Sequence, residues 1–497
     1  MTLDVLLRSP IRWNDYTANA EVRSFLDDLQ ANILKGHGRP FTGNVFISFA
    51  GLDHAAVAAV LRGLSGYVTS ALQQLCTNRR EGAPALDGGP VRCLLLGAGA
   101  YRKLGTLAKM PADAAFRAGM RERGADLADP PASDWGEGAW RPGNPAPDAM
   151  LLLAASSFDA VTRDLEIAEG WLNGTGATVL GVERGRAQFR VFNPGTGRKE
   201  GVEHFGYVDG RSQPLFLAED LAREREGQAP AKAPDPGWEA EFPPAQFILP
   251  DPNAQQPLAA GSYFVFRKLE QRVRAFKLRE KALAKELKLP LDDEERAGAM
   301  VVGRFEDGTP VTLSFEDTKE PPPNNFTYAN VLNGASDADG ARCPFHGHIR
   351  KTNPRGDSVR QGLATLAEER AHIMARRGIP FGDADRDFDA DEGHEPEGDV
   401  GLLFMAYMAS IPDQFEFTQQ SWANEPRFAR GFKQGQLPTG IDPIIGQGGN
   451  VAARTQLWPQ PGSNEPKPFS FADFVKLRGG EYFFAPSLSF LRRVGLA

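Results

Sequence analysis

Residues typical of secreted and membrane-embedded proteins are scarce in this chain of 497 residues. Its three cysteines, Cys76, Cys93 and Cys343, are widely spaced and odd in number, so they do not suggest a disulfide framework. No apolar run reaches the ~18 residues that a membrane-spanning helix needs. The first residues, MTLDVLLRSP, lack the basic region, apolar core and cleavage site of a signal peptide. We therefore expect residence in the cytoplasm and no membrane partner.

Excess positive charge is also missing. The chain has 56 Lys and Arg residues against 64 Asp and Glu residues, which gives a formal net charge of −8. Proteins that bind nucleic acids present a strongly basic surface, so this balance argues against a nucleic-acid partner. Hydrophobic residues at 41% and charged residues at 24% are typical of a globular protein.

The apolar pattern predicts strands that alternate with helices. GNVFISFAG, residues 43–51, alternates as a half-buried strand does, and helices and further strands follow it. EVRSFLDDLQANILKG, residues 21–36, predicts a helix that ends at Gly36. The second half repeats this rhythm from a strand at Tyr263–Phe266, which passes into a charged helix through Lys285. The pattern indicates an α+β fold with helices layered on antiparallel sheets.

A stretch rich in Pro and Ala, residues 227–246, is the strongest candidate for a domain boundary. We therefore expect two domains, residues 1–226 and residues 227–497.

Histidine is rare as well, and two of only seven histidines lie in the segment CPFHGHIRKTNPRGD, residues 343–357. His346 and His348 stand there beside Arg350, Lys351 and Arg355. Imidazole is a common metal ligand, and the cations could neutralise an anionic group held against the metal. From the residues alone three interpretations stay open: a haem site, a partial zinc site that uses the nearby thiol, and a solvated basic loop.

CPFHGHIRKTNPR, residues 343–355, resembles the haem-ligand signature of the dye-decolorising peroxidases. The resemblance implies that His348 is the proximal iron ligand and that Arg355 meets a haem propionate. It also implies duplicated ferredoxin-like domains, with the haem bound mainly in the C-terminal half. Similar segments run from about residue 29 to residue 488.

Two further motifs carry the resemblance. GYVDGRSQP, residues 206–214, is similar to the family motif whose aspartate is the distal acid and base, which falls on Asp209. ARRGIPFG, residues 375–382, resembles the segment that supplies the distal arginine, which falls on Arg376. Arg211, directly after the first motif, stands where an apolar residue is frequent in the family.

Four more residues are candidates for contact with the cofactor. Gly206 and Gly210 lack a Cβ, which would let their turn approach a flat macrocycle closely, although Asp-Gly is also common in ordinary turns. Leu402 and Phe404 fall where the family places apolar residues of the distal pocket, and a core strand is the alternative.

One position departs from the family pattern. The carboxylate that commonly orients the proximal imidazole is expected near the end of the strand FMAYMAS, where this chain has Ser410. Asp413 or Glu416 could take its place. Without such a carboxylate the iron would be less electron-rich.

The resemblance implies a peroxidase that holds one haem b per chain and uses hydrogen peroxide to oxidise dyes, phenolics or other one-electron donors. The alternative is a protein for haem handling or storage with incidental peroxidase activity. Both functions need His348, but only the enzyme needs Asp209 and Arg376. The sequence leaves the oligomeric state open.

Large donors cannot reach a buried haem, so their oxidation would need radicals on surface tyrosines or tryptophans. The candidates, taken from their location in the second half, are Tyr328, Tyr407, Trp422 and Trp458. For most of them a packing role in the core or at the surface is the preferred interpretation.

Overall fold

The structure, a computed structural model, describes residues 1–77, 89–227, 238–290, 293–321, 323–382, 388, 394–463 and 465–496. Within these ranges, no helix has the length and apolar character needed to cross a membrane.

Ten strands form one large antiparallel sheet, and six short strands pair outside it. The strands of the large sheet are β1 (Phe41–Ser48), β2 (Val91–Gly97), β3 (Ala149–Ala155), β4 (Thr178–Arg186), β7 (Leu249–Pro250), β8 (Ala260–Gln271), β11 (Ala375–Arg376), β12 (Ile379–Phe381), β13 (Gly401–Met408) and β16 (Val475–Ala485). The pairs outside it are β5 (Gln188–Asn193) with β6 (Arg198–Val202), β9 (Val331–Leu332) with β10 (Ala335–Ser336), and β14 (Thr455–Trp458) with β15 (Lys467–Ser470).

Helices surround the sheet. They are α1 (Leu3–Leu6), α2 (Ala20–Asp28), α3 (His54–Ser65), α4 (Ala71–Thr77), α5 (Ala98–Leu104), α6 (Ala114–Ala118), α7 (Met120–Arg123), α8 (Phe158–Asn173), α9 (Ala218–Gly227), α10 (Val273–Glu286), α11 (Glu295–Val302), α12 (His348–Thr352), α13 (Asp357–Arg360), α14 (Leu366–Ala371) and α15 (Leu488–Arg493). Two consecutive π-helical segments, Ile411–Glu416 and Thr418–Ala423, follow β13.

The strand order shows the duplication. In the first half the order is β4-β1-β3-β2, and in the second it is β16-β8-β13, with β11 and β12 on the far side of β13. The main strands of each half can be numbered in chain order, with β1, β2, β3 and β4 in the first half and β8, β11 with β12, β13 and β16 in the second. Both halves then have the strand order 4-1-3-2. The predicted α+β class with duplicated ferredoxin-like units is therefore confirmed.

The two halves share one sheet. Strand β16 of the second half pairs with β2 of the first, where Phe483 faces Gly97 and Phe484 faces Leu96. The predicted division at residues 226 and 227 stays a prediction, because residues 228–237 of the proposed boundary lie outside the described residues.

A cluster of aromatic rings packs across this shared sheet. Phe46 of β1 meets Trp140 with ring centroids 4.6 Å apart and Phe266 of β8 at 5.0 Å. All three side chains are buried, and Trp140 comes from the loop of residues 128–148, which is rich in Pro and Gly. This loop therefore covers the sheet where strands of both halves meet, and large aromatic surfaces make such a contact a major source of stability.

Two predicted boundaries were wrong. Helix α2 ends at Asp28 rather than near Gly36, and Leu29 is already extended. Strand β8 continues to Gln271 instead of passing into helix after Phe266. In both cases contacts distant in sequence override local preference: the Gln30 side chain bonds to Leu94, and sheet pairing holds β8 on both sides.

Candidate active site

His348 is the first residue of α12, and its orientation is fixed by an aspartate. Its Nδ1 lies 2.9 Å from Oδ2 of Asp442, a fully buried side chain. The other oxygen, Oδ1, accepts hydrogen bonds from the backbone N–H groups of Ile444 at 2.7 Å and Ile445 at 3.0 Å. Because a carboxylate only accepts, Nδ1 carries the shared hydrogen. Nε2 is then the ring nitrogen that is free to bind a metal.

Neither of the two possible substitutes for the missing family carboxylate, Asp413 and Glu416, orients His348. Ser410 caps the π-helical segment and bonds to Asp413 at 2.8 Å, and the Asp413 side chain is exposed. Glu416 pairs with Arg123 at 2.7 Å and accepts from the Tyr482 hydroxyl at 3.0 Å. Neither carboxylate bonds to His348.

Asp442 comes instead from the loop GIDPIIG, residues 440–446. The sequence does contain one indication of this role: Asp442 is the only charged residue among isoleucines and a proline in this loop. A carboxylate in such an apolar stretch is buried only when it has a partner.

The fold also brings Asp209 and Arg376 together. Nη1 of Arg376 lies 3.8 Å from Oδ1 of Asp209, and the two side chains are 38% and 37% exposed. The turn that carries Asp209 also holds the arginine: Nη2 donates to the Arg211 carbonyl at 2.6 Å, and the backbone N–H donates to Gln213 Oε1 at 3.1 Å. Arg211, unusual at its position, thus contributes a backbone oxygen, while its side chain pairs with Glu200.

A single cavity of about 1050 Å³ joins these groups. Seven of the eight predicted site residues line it, namely His348, Asp209, Arg376, Arg355, Gly210, Leu402 and Phe404. Gly206 does not line the cavity, although its neighbours Phe205 and Tyr207 do. Its φ is +100°, a conformation that favours glycine, and an added Cβ would stand 3.4 Å from Oε1 of Glu306.

Two buried arginines give the cavity a cationic wall. Arg355 donates to the carbonyls of Asn324 at 2.6 Å and Phe326 at 2.9 Å, and Arg304 donates to the Gly308 carbonyl at 2.7 Å. Within the described part of the chain, neither forms an ion pair with a carboxylate.

Burial lowers the pKa of Arg355 to about 10, and burial together with the nearby Arg355 cation lowers that of Arg304 to about 9. Buried charges are normally matched, so this wall fits an anionic ligand.

The other histidines differ from His348. His346 is fully buried, edge-on to Trp458 with centroids 4.3 Å apart, and does not line the cavity. His37 and His372 also line the cavity. Nδ1 of His37 accepts from the Arg39 N–H at 2.9 Å, which leaves the hydrogen of the neutral ring on Nε2. The His372 ring stacks on Phe417 with centroids 3.5 Å apart, and its Nδ1 bonds to the Asp413 carbonyl. Of the three histidines that line the cavity, only His348 has its Nδ1 held by a buried carboxylate.

The four aromatic candidates for surface radicals are all buried. Tyr328, Tyr407 and Trp458 have no exposed surface, and Trp422 is 3% exposed. None can meet a large donor directly, so the interpretation as packing residues is confirmed for all four and the role of a surface relay is wrong.

Comparison with known proteins gives a consistent result. No family model matches the chain. The chain is 42% identical to the multifunctional dye peroxidase DyP2 of Amycolatopsis sp. over 99% of this chain and all of that protein, and the solved structure of DyP2 superimposes with a TM-score of 0.86. A DyP-type peroxidase of Anabaena sp. is 34% identical, with a TM-score of 0.84 and coverage of 98% of this chain and 97% of its own.

A third structure, a dye-decolorizing peroxidase in complex with 2,6-dimethoxyphenol, is 26% identical, covers 94% of this chain and 98% of its own, and has a TM-score of 0.69. All these relatives are named peroxidases, which favours the enzyme over the haem-handling alternative. The similarity to DyP2 extends over nearly the whole chain. The chain belongs to the dye-decolorising peroxidase family and is a peroxidase.

Proposed function

We propose that the chain binds one haem b, with His348 as the iron ligand, and that Asp209 and Arg376 assist the cleavage of hydrogen peroxide. The observation that carries this proposal is the pairing of His348 with the buried Asp442 in the same cavity that holds the Asp209–Arg376 pair. Members of this family are haem peroxidases. Haem, when bound, supplies the redox chemistry that reduces peroxide and oxidises the donor.

The cavity suits the cofactor in three respects. Its volume of about 1050 Å³ is large enough for a macrocycle. Arg355 and Arg304, buried without carboxylate partners in the described ranges, would hold the two propionates. Leu402 and Phe404 of β13 would supply apolar contact to the ring.

The proposed acid and base is Asp209. Its carboxylate would take the proton from one peroxide oxygen and return it to the other, which leaves as water when the O–O bond breaks, and the two electrons for this cleavage would come from the bound haem. The guanidinium of Arg376 stabilises the negative charge that develops on the departing oxygen. The contacts of Arg376 to the Arg211 carbonyl and Gln213 support this role, because they hold the cation in place before the reaction.

The proposed donors are small aromatic molecules such as phenols and dyes. The relative that was solved with 2,6-dimethoxyphenol supports this class of donor. We also propose cytoplasmic residence, with the three free thiols of Cys76, Cys93 and Cys343 as support.

The test is stopped-flow absorbance after the haem-loaded protein is mixed with peroxide, followed by steady-state oxidation of 2,6-dimethoxyphenol. Arg376→Leu should slow the reaction with peroxide by ~100- to 1000-fold if it behaves as one lost donor to a developing oxyanion. Asp209→Asn should slow it by ~100-fold or more. Arg454→Leu is the matched control, because Arg454 pairs with Asp473 away from the cavity. If both distal variants react at the parent rate, the proposed roles fail.

A further inference from the structure

The turn that carries Asp209 is built around a second carboxylate. We propose that Glu203 is a positioning residue that holds this turn so that Asp209 meets Arg376. The inference rests on the role proposed above for Asp209, and extends it to Glu203, which also lines the cavity but whose carboxylate is engaged by three protein donors.

The Glu203 side chain accepts hydrogen bonds from backbone N–H groups of its own turn. Its Oε2 accepts from the Phe205 N–H at 2.8 Å, and its Oε1 accepts from the Tyr207 N–H at 3.0 Å. The backbone adds two more bonds, from the Gly206 N–H to the Glu203 carbonyl at 2.9 Å and from the Glu203 N–H to the Tyr207 carbonyl at 3.1 Å. One side chain thus satisfies two N–H groups of the segment directly before Asp209.

A third donor ties this carboxylate to the central sheet. The Nε2 group of Gln271 donates to Oε2 of Glu203. Gln271 is the last residue of β8, and its backbone N–H donates to the Val400 carbonyl at 2.8 Å. This hydrogen bond therefore anchors the turn to β8, a strand that pairs with a neighbour on each side, and not to another loop.

Asp209 lies at the other end of this turn, so the position of the turn determines where Asp209 stands relative to Arg376. The Asp209 N–H donates to the Gly201 carbonyl at 3.1 Å, and Val202 bridges Val208. Asp209 and Arg376 stand only 3.8 Å apart. A displacement of ~1 Å in such a pair can cost on the order of 100-fold in rate.

The chemistry requires a carboxylate at this position. A glutamine of the same shape has one acceptor oxygen, and its NH2 group would face a backbone N–H and repel it. Burial raises the pKa of Glu203 to about 7, opposed by its three hydrogen-bond donors. Assays at pH 8 therefore keep Glu203 mainly in the ionised form that accepts from both N–H groups.

The experiment is a double-mutant cycle on the haem-loaded protein at pH 8, with the bimolecular rate constant for peroxide as the readout. Glu203→Gln should lower this constant on the order of 100-fold. In the Asp209→Asn background, the same substitution should produce no further loss. The KM for 2,6-dimethoxyphenol should not change in either background.

Glu481→Gln is the matched control. Glu481 lies on β16 away from the cavity, is 4% exposed, and also accepts from two backbone N–H groups, those of Met120 and Tyr482, each at 2.8 Å. It should lower the midpoint of thermal unfolding and leave the peroxide rate constant unchanged.

A parent rate in Glu203→Gln would overturn the proposal, and so would an equal loss in both backgrounds, because a purely structural effect is additive. If Asp209→Asn itself reacts at the parent rate, the role of Asp209 fails as well, so the two failures are distinguishable. If Glu203→Gln does not fold, Glu203→Asp replaces it in the cycle, since the shorter side chain cannot reach both N–H groups.

Discussion

His348 and Asp442 are separated by 94 positions in the sequence, yet Nδ1 of the histidine lies 2.9 Å from Oδ2 of the aspartate. The aspartate is fully buried, and two backbone N–H groups hold its other oxygen. A carboxylate in this position fixes the imidazole tautomer and makes the imidazole a stronger electron donor. Asp442 thus occupies the position relative to the imidazole that the family resemblance gave to a carboxylate near Ser410.

Asp442→Asn should therefore raise the reduction potential of the haem-loaded protein and lower peroxidase activity by ~10- to 100-fold, because the imidazole loses its anionic partner. Spectroelectrochemistry and steady-state assays measure the two effects. Asp413→Asn, which changes an exposed carboxylate that the sequence left as one possible substitute, should leave the potential unchanged. An unchanged potential in Asp442→Asn would contradict the assigned role.

His348→Ala should yield protein with little or no bound haem, while His346→Ala should retain it. The physical reason is that only His348 of the two lines the cavity, whereas His346 packs against Trp458. The ratio of Soret absorbance to protein absorbance measures haem content. Full occupancy and an unchanged spectrum in His348→Ala would show that another group binds the iron.

Arg355→Met should accelerate haem loss by ~10- to 100-fold, which corresponds to one charge-assisted hydrogen bond of about 1.5–3 kcal/mol. Transfer of haem to excess apomyoglobin measures the rate. Arg370→Met is the control, since Arg370 donates to the carbonyls of Glu239 and Glu241 and does not line the cavity. Equal rates in the two variants would argue against a propionate contact at Arg355.

Asp129→Ala should lower the free energy of unfolding by ~3–5 kcal/mol, because it leaves the charge of Arg267 buried without its partner. The two side chains are 0% and 2% exposed and form a two-pronged pair at 2.6 and 2.7 Å, which ties the loop of residues 128–148 to β8. Urea unfolding measures the cost. Asp473→Ala, in a half-exposed pair with Arg454, should cost about 1 kcal/mol or less. The double change Asp129→Leu with Arg267→Met should recover most of the loss.

His37→Gln should flatten the dependence of stability on pH in acid. Burial, reinforced by the Arg39 and Arg377 cations, lowers the pKa of His37 from 6.5 to about 3. Below pH 6.5 the unfolded chain takes up a proton that the folded chain refuses, so stability falls as the pH drops toward 3, by up to about 1.4 kcal/mol per pH unit. Urea unfolding of the variant at pH 6.5 and 4.5 should show the smaller difference. His54→Gln, which changes an exposed histidine, is the control and should show the same difference in stability between the two pH values as the parent protein.

Local pattern was enough for much of the fold. Alternation in GNVFISFAG predicted that a strand forms at β1, because two residues is the side-chain period of a strand. The alternation did not predict that seven of the eight residues of β1 are buried, because burial of both faces depends on the packing of the whole fold. The local pattern did not predict where β8 ends, because pairing with neighbouring strands extends β8 to Gln271. Nor could it show that β16 closes the two halves into one sheet, because strands distant in sequence choose partners through packing.

The residues that we propose to carry the chemistry could be found from local signatures: the motif around His348, the aspartate of GYVDG and the arginine of ARRGIPFG. Their arrangement in space could not be found in this way. The tertiary structure brought Asp442 to His348, set 3.8 Å between Asp209 and Arg376, and buried the four aromatic residues considered as surface relays. Such relations depend on contacts between segments tens to hundreds of residues apart. Local periodicity and motif spacing do not encode them, because burial and packing of the whole chain select the contacts.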